Sequence, residues 1–292
     1  LKEQIKMRLL NFVDDGKIKL GIEKENKIID VEKIALKYNA HVPITMEEVL
    51  NDSSSIKKIE NLCKGNEDGL DKNDIVYAPC VMNPEKILCV GLNYLTHREE
   101  CNIDIPKEPV IFSKFNSSLA AHEEKIELPK DLHEFDYEAE LIIVIGKEGK
   151  NIKRENADEY IFGYSIGNDL TSRELQFLTS QWTLGKVIDK FTPVGPIIVS
   201  KDELNISNLE VKCEVNGEVR QLASTKDMIF DCYSIVSYVS KYITLKPGDI
   251  IFTGTPGGVI LGDTNPNKQW LKSGDEIKIS IENIGTLINV LK

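Results

Sequence analysis

Glu138 and Glu140 stand two residues apart in Asp136-Tyr137-Glu138-Ala139-Glu140-Leu141-Ile142-Ile143-Val144-Ile145-Gly146, at the head of an apolar run of strand length. On an extended chain alternate side chains share a face, so the two carboxylates project together. Like charges at that spacing repel unless a cation sits between them. Asp169, in Gly167-Asn168-Asp169, supplies a third arm. Three oxygen ligands with no cysteine or neighbouring histidine suit a hard divalent cation: magnesium first, then manganese, then calcium. Taken singly, each is an ordinary surface carboxylate. Two unpaired charges on one face of a buried strand are not.

A second set of residues offers proton chemistry. His97 follows Val90-Gly91-Leu92-Asn93-Tyr94, and a helix beginning near Tyr94 places His97 and Glu100 at i and i+3, in contact. A carboxylate beside an imidazole fixes its tautomer and raises its basicity, as a general base requires. The same pairing also occurs as a plain surface contact. Lys186, in Thr183-Leu184-Gly185-Lys186, is a candidate to stabilise enolate or carboxylate charge, with Lys190 near enough to compete, although alone neither differs from a surface lysine. The turn Thr253-Gly254-Thr255-Pro256-Gly257-Gly258-Val259 offers amides and the Thr255 hydroxyl to a carboxylate. It equally reads as a simple tight turn, and it lacks the Gly-Lys-Ser/Thr ending of a phosphate loop.

The elements that must position these groups are mostly short strands. Asp14-Asp15-Gly16 between two apolar stretches predicts a hairpin within residues 7–31. Helices are expected around Asp30 to Tyr38 and from Thr45 to Leu62. The proline-bracketed passage from Pro79 to Pro84 marks an expected boundary between a small α/β N-terminal domain, residues 1–82, and a larger one, residues 83–292. Beyond it, strands are expected at Lys86–Gly91, Ile250–Phe252 and Glu276–Ile279, with helices after His97, opening at Thr171, and across Asp231 to Tyr242. Thr171 followed by Glu174 has the spacing of a capping box, which puts Asp169 just ahead of a helix N-terminus. The fold class is therefore α+β and β-rich, not an alternating βαβ array.

The 292 residues are 41% hydrophobic and 28% charged, as in an ordinary soluble globular protein. A formal charge of −11 argues against nucleic acid as a partner, and no apolar run approaches the thickness of a bilayer. A small anionic substrate remains compatible, because a metal and a few lysines invert the field within one cleft. The six cysteines are scattered without zinc spacing, which suits reduced thiols in a cytoplasmic protein. Cys101, beside the His97 motif, is the one candidate for a nucleophilic thiol, though no base is spaced to activate it.

Together the motifs resemble the fumarylacetoacetate hydrolase family, bacterial two-domain type. The matching strings are Val90-Gly91-Leu92-Asn93-Tyr94 with His97 and Glu100, Phe112-Ser113-Lys114, Asp136-Tyr137-Glu138-Ala139-Glu140-Leu141, Gly163-Tyr164, Asn168-Asp169 with Arg173 and Gln176, Gly185-Lys186, Thr253-Gly254-Thr255-Pro256, and Gly285-Thr286-Leu287 with Asn289. They run in family order from about residue 83 to the end. The resemblance implies a mixed β-sheet roll, a divalent metal and a homodimer. It implies Glu138, Glu140 and Asp169 as metal ligands, His97 and Glu100 as a catalytic dyad, and Lys186 as the charge-stabilising lysine. Arg173, Gln176 and Thr255 would contact substrate, and residues 100–107 would form a lid. The string Lys186-Val187-Ile188-Asp189-Lys190 departs from the family's usual Lys-Ser-Phe-Asp pattern, which implies a different pocket wall beside the lysine.

The expected activity is metal-dependent chemistry on small 2-oxo or β-dicarbonyl acids, acylpyruvate-like or 2-hydroxyhepta-2,4-diene-1,7-dioate-like. It would proceed by C–C bond hydrolysis or keto–enol isomerisation, with oxaloacetate decarboxylation or tautomerisation as the alternative within the family. The rival from another class is a metal-dependent ligand-binding protein without catalysis. Retention of both His97 and Glu100 weighs against it, since a binder needs no base.

Overall fold

The computed structural model describes residues 7–66, 68–100 and 104–292, without the side chains of residues 53 and 97–99. Its central element is the strand Ala139–Ile145, every residue of which is buried. A strand covered on both faces must be apolar throughout, and Leu141-Ile142-Ile143-Val144-Ile145 meets that demand. It pairs antiparallel with Ile161–Asn168 on one side and Ile250–Phe252 on the other. The sheet built around it has 12 strands. From its centre it continues one way through Thr192–Ser200 and the other through Ile87–Gly91 to an edge at Val110–Lys114.

The N-terminal strands Arg8–Asp14, Lys17–Lys24 and Lys27–Asp30 extend this same sheet, since Arg8 and Leu9 lie opposite Val199 and Ile198. The expected Asp-Gly hairpin is present: Asp15 and Gly16 both take positive φ, 48° and 73°, as a tight two-residue turn between twisted strands requires. A second sheet of five strands includes Glu218–Ser224, Glu210–Val215, Glu276–Ile281 and Gly285–Leu291. Along Glu276–Ile281, Ile277, Ile279 and Ile281 are buried and alternate with half-buried residues, so one face packs inward.

These layers divide the central strand by its period of two. Leu141, Ile143 and Ile145 join Val211, Ile277 and Ile279 in the core between the two sheets. Ile142 and Val144 point the other way, into a core with Phe252, Leu20, Val49 and Ile59 beneath the N-terminal helices. Glu138 and Glu140 share the parity of Ile142.

Two local expectations shift. Thr45–Leu62 is not one helix but two, Met46–Asn51 and Ile56–Cys63, separated by a turn over Ser53–Ser55. Asp52 leaves the helical region at φ −131° and ψ 73°. The Ser55 and Ser54 hydroxyls donate to the Asp52 carbonyl and carboxylate, at 2.6 and 2.5 Å, so side chains replace the helical bonds. The helix Arg173–Phe177 is capped by Ser172 rather than Thr171. Thr171 instead donates to the Asp169 carbonyl, and Glu174 accepts from the backbone N–H groups of His133 and Glu134.

Truncating Leu141, fully buried between the sheets, removes contacts that the rigid centre cannot rebuild. Leu141→Ala is expected to cost about 2–5 kcal/mol, read as a lower denaturant midpoint at unchanged slope.

Candidate metal centre and active site

The strand register brings the carboxylates together. Ala139 pairs with Asn168, so Glu138, one residue ahead of the strand, falls opposite Asp169. The Asp169 N–H donates to the Glu138 carbonyl at 3.0 Å, and the Asn168 side chain accepts from the Glu138 N–H at 3.0 Å. Residues directly opposite in an antiparallel pair share a face. One carboxylate oxygen from each of Glu138, Glu140 and Asp169 therefore lies within 4.8 Å of the others, and all three residues are buried.

Cations surround this group. The Lys186 ammonium reaches Glu138 Oε2 and Asp169 Oδ2, both at 2.8 Å. Lys114 Nζ lies 2.5 Å from Asp169 Oδ1 and donates to the Phe191 carbonyl at 2.9 Å. Arg173 Nη2 sits 2.7 Å from Glu138 Oε1 and 2.8 Å from Asp136 Oδ2. Asp136 in turn accepts from the Ile260 and Leu261 N–H groups at 2.8 and 2.9 Å, which ties the arginine to the neighbouring loop. Lys186 gets this close because Gly185 has no side chain: a Cβ there would stand 2.5 Å from Gln176 N and 2.6 Å from the Ser172 carbonyl. Lys190 does not share the role. Its side chain is exposed and pairs with Glu124 at 2.9 Å.

Four buried carboxylates (Asp136, Glu138, Glu140, Asp169) thus face three buried cations (Lys114, Arg173, Lys186). Glu140 is the carboxylate left over. It accepts one N–H, from Gly254 at 2.6 Å, and among the described residues no ion pair is made to it. Burial first, then the charges of Asp169 and Glu138, push its carboxyl well above the usual range. Lys186 shows the opposite balance: burial disfavours its charge, but Asp169 and Glu138 outweigh that and raise its pKa. A hard divalent cation among these three oxygens would more than cover the one positive charge that is missing and leave a surplus for an anionic ligand, so the donor set fits one.

A cavity of about 70 Å³ opens over the cluster, walled by Phe112, Trp182, Phe177, Gln176, Thr255 and Leu261 among others. Larger clefts, about 280 and 720 Å³, lie over the N-terminal strands and helices, where no carboxylate group of this kind is found among the described residues. Gln176 Oε1 accepts from Arg173 Nη1 at 2.8 Å, and Thr255 is buried at the cavity wall.

The helix Leu95–Glu100 forms as its sequence predicts. Its end rests on the glycine-rich turn: Glu100 Oε1 accepts from the Gly258 N–H at 2.7 Å and Thr96 Oγ1 from Gly257 N–H at 3.1 Å. The His97 side chain lies outside the described residues, as do Cys101 and part of the 100–107 segment. The other five cysteines are free and buried.

Lys186 and Thr255 are candidates from the residues themselves and Arg173 and Gln176 only through the resemblance; all four line the cavity over the carboxylates. Lys114 stands in the sequence only as part of the Phe112-Ser113-Lys114 motif with no role assigned, although it is the one buried residue of the strand Val110–Lys114 and so needs a buried partner. Asp136 likewise carries no role in the sequence reading, though it continues the alternation of Glu138 and Glu140.

A mixed-sheet enzyme fold with a buried three-carboxylate centre defines the class, and the comparisons define the family. The family model described as fumarylacetoacetate (FAA) hydrolase C-terminal matches residues 86–292. The chain is 42% identical over 289 residues to the fumarylacetoacetate hydrolase domain-containing protein 2 homolog of Dictyostelium discoideum, covering 94% of this chain and 92% of the relative. It is 37% identical to oxaloacetate tautomerase fahd2, mitochondrial, of Xenopus laevis, over 98% of this chain and 90% of the relative. Among solved structures, maleylpyruvate hydrolase from Sphingobium sp. SYK-6, in complex with manganese(II) and pyruvate, is similar with a TM-score of 0.81 and 27% identity, covering 98% of each chain. The chain belongs to the fumarylacetoacetate hydrolase family and is an enzyme of that family.

Replacing Asp136 by Asn keeps the shape but strips the charge from the Arg173 anchor. Breaking such a buried pair is expected to cost about 3–5 kcal/mol. Asp136→Asn should therefore unfold at clearly lower denaturant than the wild type, whereas the exposed Lys190→Ala should change stability by less than about 1 kcal/mol.

Proposed function

We propose that this enzyme carries out divalent-metal-dependent enolate chemistry on small 2-oxo or β-dicarbonyl acids, with keto–enol tautomerisation of an oxaloacetate-like diacid as its first expected activity. The observation that carries the reading is the convergence of Glu138, Glu140 and Asp169, ringed by Lys114, Lys186 and Arg173, at the floor of a cavity walled by Thr255 and Gln176. Relatives named for oxaloacetate tautomerase activity support the substrate, and the neighbour holding manganese and pyruvate supports the cofactor class.

Glu138, Glu140 and Asp169 are the residues that would hold the metal, magnesium or manganese before calcium. Such a cation supplies Lewis-acid polarisation of the 2-oxo group and so acidifies the adjacent C–H. Arg173, Gln176 and Thr255 would orient the substrate carboxylates, and Lys186 would offset negative charge as the enolate forms. His97, oriented by Glu100, would take the proton from carbon 3 and return it to the 2-oxo oxygen, so that atoms and charge balance over one tautomerisation. The same dyad acting on water would give C–C bond hydrolysis of an acylpyruvate, which the products distinguish. Phe112 and Trp182, packed edge to face at 5.7 Å, would limit water at the reacting carbon.

The catalytic unit in this proposal is residues 83–292, with the strands Arg8–Asp14, Lys17–Lys24 and Lys27–Asp30 of the N-terminal part, residues 1–82, extending its sheet. A homodimer is supported by the exposed apolar side chains Phe177, Leu178 and Leu184 near the cavity. No helix among the described residues is long and apolar enough to cross a membrane, and a cytoplasmic location rests on the free cysteines.

The deciding assay follows the ultraviolet enol band of oxaloacetate, of acylpyruvates and of unsaturated 2-oxo-dioates, with Mg²⁺ or Mn²⁺ present. EDTA and Glu138→Ala are each expected to abolish turnover, and added Mn²⁺ to restore it only in the EDTA-treated wild type. Turnover that survives EDTA would sink the metal reading. His97→Ala is expected to lower kcat by about 10²–10⁴-fold while calorimetric Mn²⁺ affinity stays unchanged; an unaltered kcat would remove the dyad from the mechanism.

A further inference from the structure

Gln221 comes from the second sheet yet ends at the candidate active site. It lies on the strand Glu218–Ser224, is buried, and is not part of any motif along the metal strand. Its Oε1 accepts from the Ala139 N–H at 3.1 Å, between the two glutamates. Its Nε2 donates to Thr255 Oγ1 at 2.9 Å and to the Pro256 carbonyl at 2.8 Å. Both ends of the amide are fixed by backbone groups that play only one part. A backbone N–H can only donate and a carbonyl can only accept, so the amide cannot be turned round without breaking both contacts.

That orientation decides what Thr255 can do. A hydroxyl has one proton to give. With the Gln221 N–H directed at Thr255 Oγ1, the threonine proton must point elsewhere, and Thr255 borders the cavity above the carboxylates. We propose that Gln221 is a positioning residue that holds Thr255 as a hydrogen-bond donor toward an anionic substrate oxygen. This rests on the proposed binding of a 2-oxo acid over the metal centre.

The local fold supplies the reach. Cys213 pairs with Gln221 but Glu214 pairs with Val219, so Arg220 is an extra residue, a β-bulge. Bulges bend a strand and re-aim the neighbouring side chain. Arg220 Nε lies 3.3 Å from the Tyr137 hydroxyl, which donates to the Gly258 carbonyl at 2.8 Å. Gly258 itself, at φ +98°, presses so closely on the bulge that a Cβ would stand 2.2 Å from the Arg220 carbonyl oxygen. The turn carrying Thr255 is thus seated on the bulge that aims Gln221.

The test uses oxalate, a planar dianion with adjacent oxygens like those of an enolised 2-oxo acid, titrated into the Mn²⁺-loaded full chain by calorimetry. Gln221→Glu retains an acceptor for the Ala139 N–H but replaces the donor facing Thr255, so it separates scaffold from positioning. Gln221→Glu and Gln221→Met are each expected to weaken oxalate binding about tenfold or more, with Mn²⁺ affinity held within about twofold for Gln221→Glu. In a Thr255→Val background, Gln221→Met should cost almost nothing further, because the effect passes through the hydroxyl. Oxalate affinity unchanged in Gln221→Glu, or an additive loss in the double variant, would overturn the proposal. A wild-type protein that binds Mn²⁺ but not oxalate would instead refute the 2-oxo acid reading, and this inference with it.

Discussion

Buried charge is the constraint on which the rest of this molecule depends. Asp136, Glu138, Glu140 and Asp169 are almost wholly removed from water, and each ionised carboxylate so placed carries a large desolvation penalty. Lys114, Arg173 and Lys186 offset that penalty only because each approaches within 2.5–2.8 Å of its partners. Such distances leave little latitude. They explain why the helix bearing Lys186 must pack against the Arg173 helix through a glycine, and why Asp136 is bound to two further backbone N–H groups. The cluster closes on itself except at Glu140, where burial and then neighbouring negative charge raise the carboxyl pKa. The most poorly compensated point is therefore also the point at which an added cation gains most.

The sheets give that cluster a rigid mount. The central strand is held by ladders on both edges, and its two faces are buried in different cores. Side chains of one parity are fixed against the second sheet, so those of the other parity cannot drift from the site. The second sheet also reaches into the site through the Arg220 bulge and Gln221, which grips the Ala139 N–H and the Thr255 turn together. The N-terminal hairpins continue the same large sheet beside Thr192–Ser200. The family model begins only at residue 86, so the N-terminal strands lie outside the stretch that it matches, whereas the carboxylate cluster lies within it.

Much of this was legible in local pattern. The Asp-Gly hairpin, the apolar strand after Glu140 and the helix after Tyr94 follow from turn chemistry and periodicity, and each formed. The helix expected over Thr45–Leu62 broke where Asp52 and the serines found better partners in their own backbone. That competition is between local hydrogen bonds and has no periodic signature. As residue types Lys186 and Lys190 are alike; the Gly185-Lys186 motif favours Lys186, and its burial against Glu138 and Asp169 sets it apart from the exposed Lys190. Gln221 carried no signal at all, because a lone glutamine in a polar strand is ordinary until another sheet is laid against it.

By itself, then, the sequence determined which residues share a face and which chemistry they suit. Glu138 and Glu140 were bound to project together once the following residues formed a strand, because alternation is a property of the local backbone. The ordered motifs determined the family. Tertiary structure alone decided that Asp169 stands opposite Glu138 and that three cations from separate elements close around them. It also decided that Glu140 remains short of a partner and that a bulge in a distant sheet aims an amide at Thr255. Those facts depend on strand register and on distances between segments far apart in the chain, and electrostatics within a buried site is governed by distance rather than by order in sequence.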